Sequence, residues 1–257
     1  MATWAKIKFF WETMLGSAGS ALSATSTAAG DYSVDYLRNM LETNIWKAAD
    51  MLPANIVYDA GAGNLKAADY LAIAGHNLFS SGALLSLRYS SDGITFLNAF
   101  APFVPSSDGV ILKEFTSPGL FRYWRVGLSG MTAAPFMAIC VWGSSTELDY
   151  ATASFDPYSQ EANAIIGLSQ GGYVAGIHTQ YIERSMSFKF DDADAALYQK
   201  VKQWWETSGV RNFFVAWEVA NNANDVFLMR PDPRFNNPIK DGGGRRDISI
   251  ALKGRKE

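Results

Sequence analysis

The sequence predicts a mainly β protein: an N-terminal β-sandwich jelly roll followed by a smaller α+β unit, itself a β-sandwich with one helix. Three observations predict it. Extended segments with period-two alternation, separated by Gly, Pro, Ser and Asp turns, fill the first part of the 257-residue chain. A helical period is clear only late, at Leu197, Val201, Trp204 and Trp205. Hydrophobic residues make up 48 % and aromatics 14 %, ample for cores and incompatible with wholesale disorder, whereas charged residues reach only 18 % against the roughly 25 % of a typical soluble domain.

The elements follow in order. Lys6 and Lys8 before Phe9-Phe10-Trp11 imitate a secretory signal, but Glu12 interrupts the apolar run, so a first strand and no secretion are expected. Residues 16 to 31, nearly all Gly, Ser, Ala and Thr, read as a loop. Leu71 and Ile73 alternate with Ala72 and Ala74, and Leu85, Leu87 and Tyr89 alternate with Ser86, Arg88 and Ser90, so both segments read as half-buried strands. Ser91-Asp92-Gly93 is a turn and Ile94 to Leu97 opens the next strand. Trp124, Val126 and Leu128 share one strand face, with Tyr123 and Arg125 on the other. The run from Phe136 to Trp142 is apolar on both faces and reads as a central strand.

Between about 143 and 180 the pattern dissolves into Gly, Ser, Ala and Gln, and a boundary is placed near 148 to 155, giving units 1–150 and 151–257, with 1–30 as the first strand and its loop. Met186, Phe188 and Phe190 then alternate as a strand. Asp191 is read as the N-cap of the helix, with Asp192 and Asp194 favouring its N-terminal dipole and Gly209 closing it. Further strands are read at Phe213 to Val219, Asp225 to Met229 and Ile248 to Leu252.

The net charge of −3 gives no footprint for nucleic acid. No apolar stretch approaches the roughly 20 residues of a membrane helix. Cys140, the one cysteine, lies in an apolar run and reads as a core residue, so no disulfide and no cysteine metal site forms within the chain. His76 and His178 are too far apart in sequence to promise a triad or a metal centre, and His76 reads as a structural imidazole at a strand end. No nucleophile elbow, phosphate loop or zinc-protease helix is present, and Gly242-Gly243-Gly244 reads as a hairpin. No enzyme activity, cofactor or metal is expected.

Two features point to partners instead. From Arg230 to Glu257 eight Lys/Arg face four Asp/Glu, a local +4 that either meets an acidic neighbour or stays solvated. Of the adjacent Trp204 and Trp205, only one can point straight into a core, which leaves Trp205 as a candidate interface anchor beside Arg230, Arg234, Arg245 and Arg246.

Residues 37 to 46, Ile56 to Gly61, Ala72 to Leu78, Tyr89 to Phe96 and Arg122 to Val126 occur in an order that resembles the discoidin or galactose-binding-like jelly roll over roughly 30 to 145, with Phe96 where that family often carries Trp. Followed by Arg184 to Phe188, a helix and Asn212 to Trp217, the chain resembles tail proteins of long-tailed bacteriophages, its part from about 155 to 257 being similar to the minor tail protein M and distal tail protein families. The resemblance implies a virion structural protein with a tail-tube-like C-terminal unit, assembled in the host cytoplasm. It implies a homo-oligomeric, hexameric ring at the distal tail or baseplate, joining the tail tube to tip or hub proteins. The jelly roll would face outward, as an ornament or as a sugar-binding surface toward a host-surface glycan. A carbohydrate-binding adhesion protein is the alternative expectation.

Overall fold

The computed structural model describes residues 4–220, 225–240 and 244–255. Ten strands build the N-terminal unit: β1 (Trp4–Thr13), β2 (Ala21–Ala24), β3 (Trp46–Lys47), β4 (Ala54–Asp59), β5 (Tyr70–His76), β6 (Leu84–Ser90), β7 (Leu97–Asn98), β8 (Ile111–Glu114), β9 (Tyr123–Ser129) and β10 (Phe136–Glu147). The remainder contributes β11 (Gln160–Leu168), β12 (Val174–Ala193), α1 (Ala195–Ser208), β13 (Phe213–Glu218), β14 (Phe227–Pro231), β15 (Ile239–Lys240) and β16 (Arg245–Arg255). The mainly β sandwich with one α-helix is thus the fold observed.

A five-stranded sheet runs β2-β4-β9-β6-β7. The other sheet runs β11-β12-β16-β14-β13-β1-β10-β5-β8, with β15 on β16 and β3 on β10. The first strand sits in its middle, antiparallel to both β10 and β13. Alternation lets β1 serve two cores. Phe10 packs with Trp46, Tyr58, Trp124 and Trp142 between the two sheets of the jelly roll. Ile7, Phe9 and Trp11 face the other way, into the core beneath α1 with Phe188, Trp204, Phe213 and Trp217. β13 divides likewise, Phe214 and Ala216 on one side and Phe213, Val215 and Trp217 on the other, which is why all six of its residues are buried. Gly143 permits the β1–β10 approach: a Cβ there would stand 1.9 Å from the Glu12 carbonyl oxygen.

Several elements differ from the sequence reading, each for a local reason. The segment 16 to 31 is not all loop, because Ala21–Ala24 pairs with β4. Ile94 to Phe96 form no strand: the Asp92 carboxylate accepts the backbone N–H groups of Ile94 and Thr95 and holds them in a turn. The N-cap is Asp194, not Asp191. β12 continues through Ala193, which pairs with Arg246, and the Asp194 carboxylate accepts the Leu197 N–H at 2.8 Å. Gly209 ends the helix at φ 56°, its N–H donating to Trp205. The featureless stretch after 143 contains the end of β10 and the whole of β11. Gly242 and Gly243 lie outside the described residues.

Candidate functional site

Nearly every residue of the β11–β12 hairpin from Gln160 to Tyr181 is exposed. Only β12 from Glu183 onward pairs with β16; before that, β11 and β12 have only each other. The turn closes through Ser169 N–H to the Tyr173 carbonyl and Gly172 N–H to the Ser169 carbonyl. Ile166 stands opposite Ile177 and Leu168 opposite Val174, and all four are exposed, as are Ile165, Tyr173 and Tyr181. No Asp, Glu, Lys or Arg lies between Glu161 and Glu183. Proteins blunt edge strands with charge, proline or cover, and a bare two-stranded ribbon is marginal in water. Here β11 ends the sheet with no proline and no cover, and its one charged residue, Glu161, lies near its start.

The residues singled out at the basic end do not form one patch. Arg230 pairs with Glu183 at 2.9 Å, and Lys253 donates to the same carboxylate. Arg245 donates to the Asp192 carbonyl, and Arg246 to the Asn237 carbonyl while lying 3.9 Å over the Tyr198 ring. Arg246 and Lys253, the latter opposite Arg230, are seven residues apart on β16, roughly 23 Å along a strand. Lys240 pairs with Asp192 and Asp247. Much of the local +4 is therefore neutralised inside the unit. Trp205 is half-buried, stacked on Phe235 at 5.3 Å, and shares a small hollow with Arg234.

A cleft of about 580 Å³ opens where the end of β1 meets the end of α1. Its walls carry Trp11, Glu12, Arg38, Asn39, Arg211 and Asn212. Met40, at φ 61°, turns its carbonyl to accept the Asn212 amide at 2.9 Å, and Arg38 donates to the Leu15 carbonyl. Sequence reading missed this cleft, because its residues come from three distant segments.

The groups considered for catalysis are accounted for otherwise. Burial pushes the Cys140 thiol up, far from a nucleophile's range. The His76 ring bridges the Leu78 N–H and the Gly109 carbonyl. His178 is exposed on the hairpin. Among the described residues no group of three His, Cys, Asp or Glu side chains could hold a metal ion, and no helix is long and apolar enough to cross a membrane.

The N-terminal unit is thus a β-sandwich jelly roll in architecture: two antiparallel sheets around one aromatic core. No protein-family model matches the chain, and no curated protein is significantly similar to it. Solved structures similar to it include the Ruminococcus gnavus GH29 fucosidase E1_10125 in complex with fucose (14 % identity, TM-score 0.46, covering 54 % of this chain and 28 % of that one). A putative alpha-L-fucosidase from Bacteroides thetaiotaomicron matches at 16 % identity and TM-score 0.46, over 54 % of this chain and 30 % of that one. CpGH89CBM32-5 from Clostridium perfringens, in complex with GalNAc-beta-1,3-galactose, matches at 16 % identity and TM-score 0.42, over 50 % of this chain and 98 % of that one. The chain spans under a third of the fucosidases' length.

Proposed function

We propose that the chain is a self-assembling structural subunit that closes a ring by docking the β11–β12 hairpin on a neighbouring copy. The ring is of the kind the tail-protein resemblance implies: six copies at the distal end of a long-tailed bacteriophage tail, between tube and tip. The carrying observation is the exposed hairpin, uncharged from 162 to 182, whose outer edge has no partner strand among the described residues. Pairing of that edge, or burial of the Ile166–Ile177 face, removes the apolar surface from water and satisfies its free N–H and C=O groups. A head-to-tail contact of this sort closes when its rotation divides a full turn.

The test is the particle mass of the full chain across a concentration series, by mass photometry and negative-stain imaging. Closed rings that revert to monomers when Ile166→Lys and Ile177→Lys are combined support the reading. A strictly monomeric particle, both in solution and within assembled tails, overturns it.

A second reading, carbohydrate binding toward a cell surface, is favoured by the cleft. Its indole, guanidinium, amide and carboxylate groups converge on one concave space of ligand size, the mix of apolar wall and placed polar groups that ligand pockets use. Glycan-array binding lost on Arg38→Ala and Arg211→Ala supports it, and silence of the wild-type protein on the array removes it. The two roles are compatible, because hairpin and cleft share no residue.

A further inference from the structure

Arg88 on β6 and Arg125 on β9 are directly paired across the strands, on the outer face of the five-stranded sheet. Leu87 and Val126, their neighbours in sequence, point into the core, so the arginine side chains are held on the solvent side. Like charges directly opposite one another destabilise a sheet, and guanidinium groups cannot lose a proton to relieve the repulsion. Among the described residues neither arginine has a carboxylate partner, and both Nε atoms are buried without a hydrogen-bond acceptor. The acids nearby are already committed. Asp59 is held in two hydrogen bonds by Arg122, and Asp92 by the Ile94 and Thr95 N–H groups.

The pair is also framed. The Arg125 guanidinium lies 3.9 Å over the Phe96 ring, which fixes its plane. Asn98 stands opposite Arg88, and Tyr123 lies in the next outward-facing row, opposite Ser90, which is buried with its hydroxyl donating to Asp92. Two guanidinium groups, an amide and the Tyr123 phenol on one shallow face match a sugar acid: the guanidinium groups take the oxyanion in hydrogen bonds and the neutral groups take ring hydroxyls. We propose that this face binds an acidic saccharide through its carboxylate or sulfate group, at Arg88 and Arg125, independently of both the hairpin and the cleft.

Binding of three probes to the full chain tests it: a glucuronate oligosaccharide, a sulfated oligosaccharide and the neutral parent sugar, with inorganic sulfate as a fourth arm. The acidic oligosaccharides bind, the neutral one does not, binding weakens as salt rises, and Arg88→Gln or Arg125→Gln lowers affinity at least about tenfold. The better of the two acidic probes identifies carboxylate or sulfate as the recognised group. Arg125→Lys keeps the charge without the fork, and serves if the glutamine variants do not fold; it too lowers affinity. Absence of binding by either acidic probe, or binding unchanged in the variants, overturns the proposal. Inorganic sulfate binding as tightly as the saccharides overturns its saccharide part. Loss of self-assembly in Arg88→Gln or Arg125→Gln overturns it in favour of a contact with another copy.

Discussion

Asn77 accepts the backbone N–H of Phe136 at 2.8 Å, and its amide donates to the Ala134 carbonyl at 3.1 Å, so one side chain locks the entry to β10 against the end of β5. The two residues are far apart in sequence, and no strand pairing covers Ala134. Asn77→Ala leaves an N–H and a carbonyl to find water at a half-buried site. The expected loss is about 1–3 kcal/mol of unfolding free energy. Urea denaturation checks it, with a lower midpoint and an unchanged slope, because the surface exposed on unfolding stays the same.

The adjacent tryptophans of α1 separate cleanly. Trp204 is fully buried against Phe9 at 5.0 Å and Phe213 at 5.2 Å. Its indole Nε1 is buried with no acceptor. Trp204→Ala is expected to cost about 3–5 kcal/mol through the cavity it leaves. Trp204→Phe is expected to cost under about 1.5 kcal/mol, because it keeps most of the volume and removes an unpaired donor. Trp205→Ala loses mainly the stack on Phe235, about 1 kcal/mol. Chemical denaturation of the three variants gives the ranking, and equal losses for Trp204→Ala and Trp205→Ala would contradict the burial described.

Where a side-chain period coincides with burial, sequence and structure agree. Trp124, Val126 and Leu128 turn inward while Arg125 turns out, and Leu197, Val201 and Trp204 form the buried stripe of α1. Where the period carries no burial, the signal is lost. In β11 nearly every residue is exposed on both faces, so Ala164, Ile165 and Ile166 show no alternation and the strand reads as a loop. β13 presents the opposite case: both faces are covered, and Phe214 and Ala216 pack into the jelly-roll core while Phe213, Val215 and Trp217 pack beneath α1. Arg88 and Arg125 were each legible as outward-facing, but their pairing depends on the β6–β9 register, which no local pattern encodes. The cleft was illegible for the same reason, since Trp11, Arg38 and Arg211 meet only through the sheet order.

His76 makes folding depend on pH in a narrow window. Its side chain is buried, and burial lowers its pKa below the ordinary 6.5, against the opposing pull of the Gly109 carbonyl and Asp108. The unfolded chain therefore takes up a proton near pH 6.5 that the folded chain refuses. The stability this histidine contributes is complete above that pH and declines as pH falls, until the folded ring itself protonates. The slope from one proton is at most about 1.4 kcal/mol per pH unit. His76→Asn removes that slope whatever it does to absolute stability. In melting temperatures measured between pH 7.5 and 5 in steps of about half a unit, the wild-type curve should fall relative to the variant's as pH falls. Parallel curves would show that the imidazole does not bury as a neutral bridge between Leu78 and Gly109.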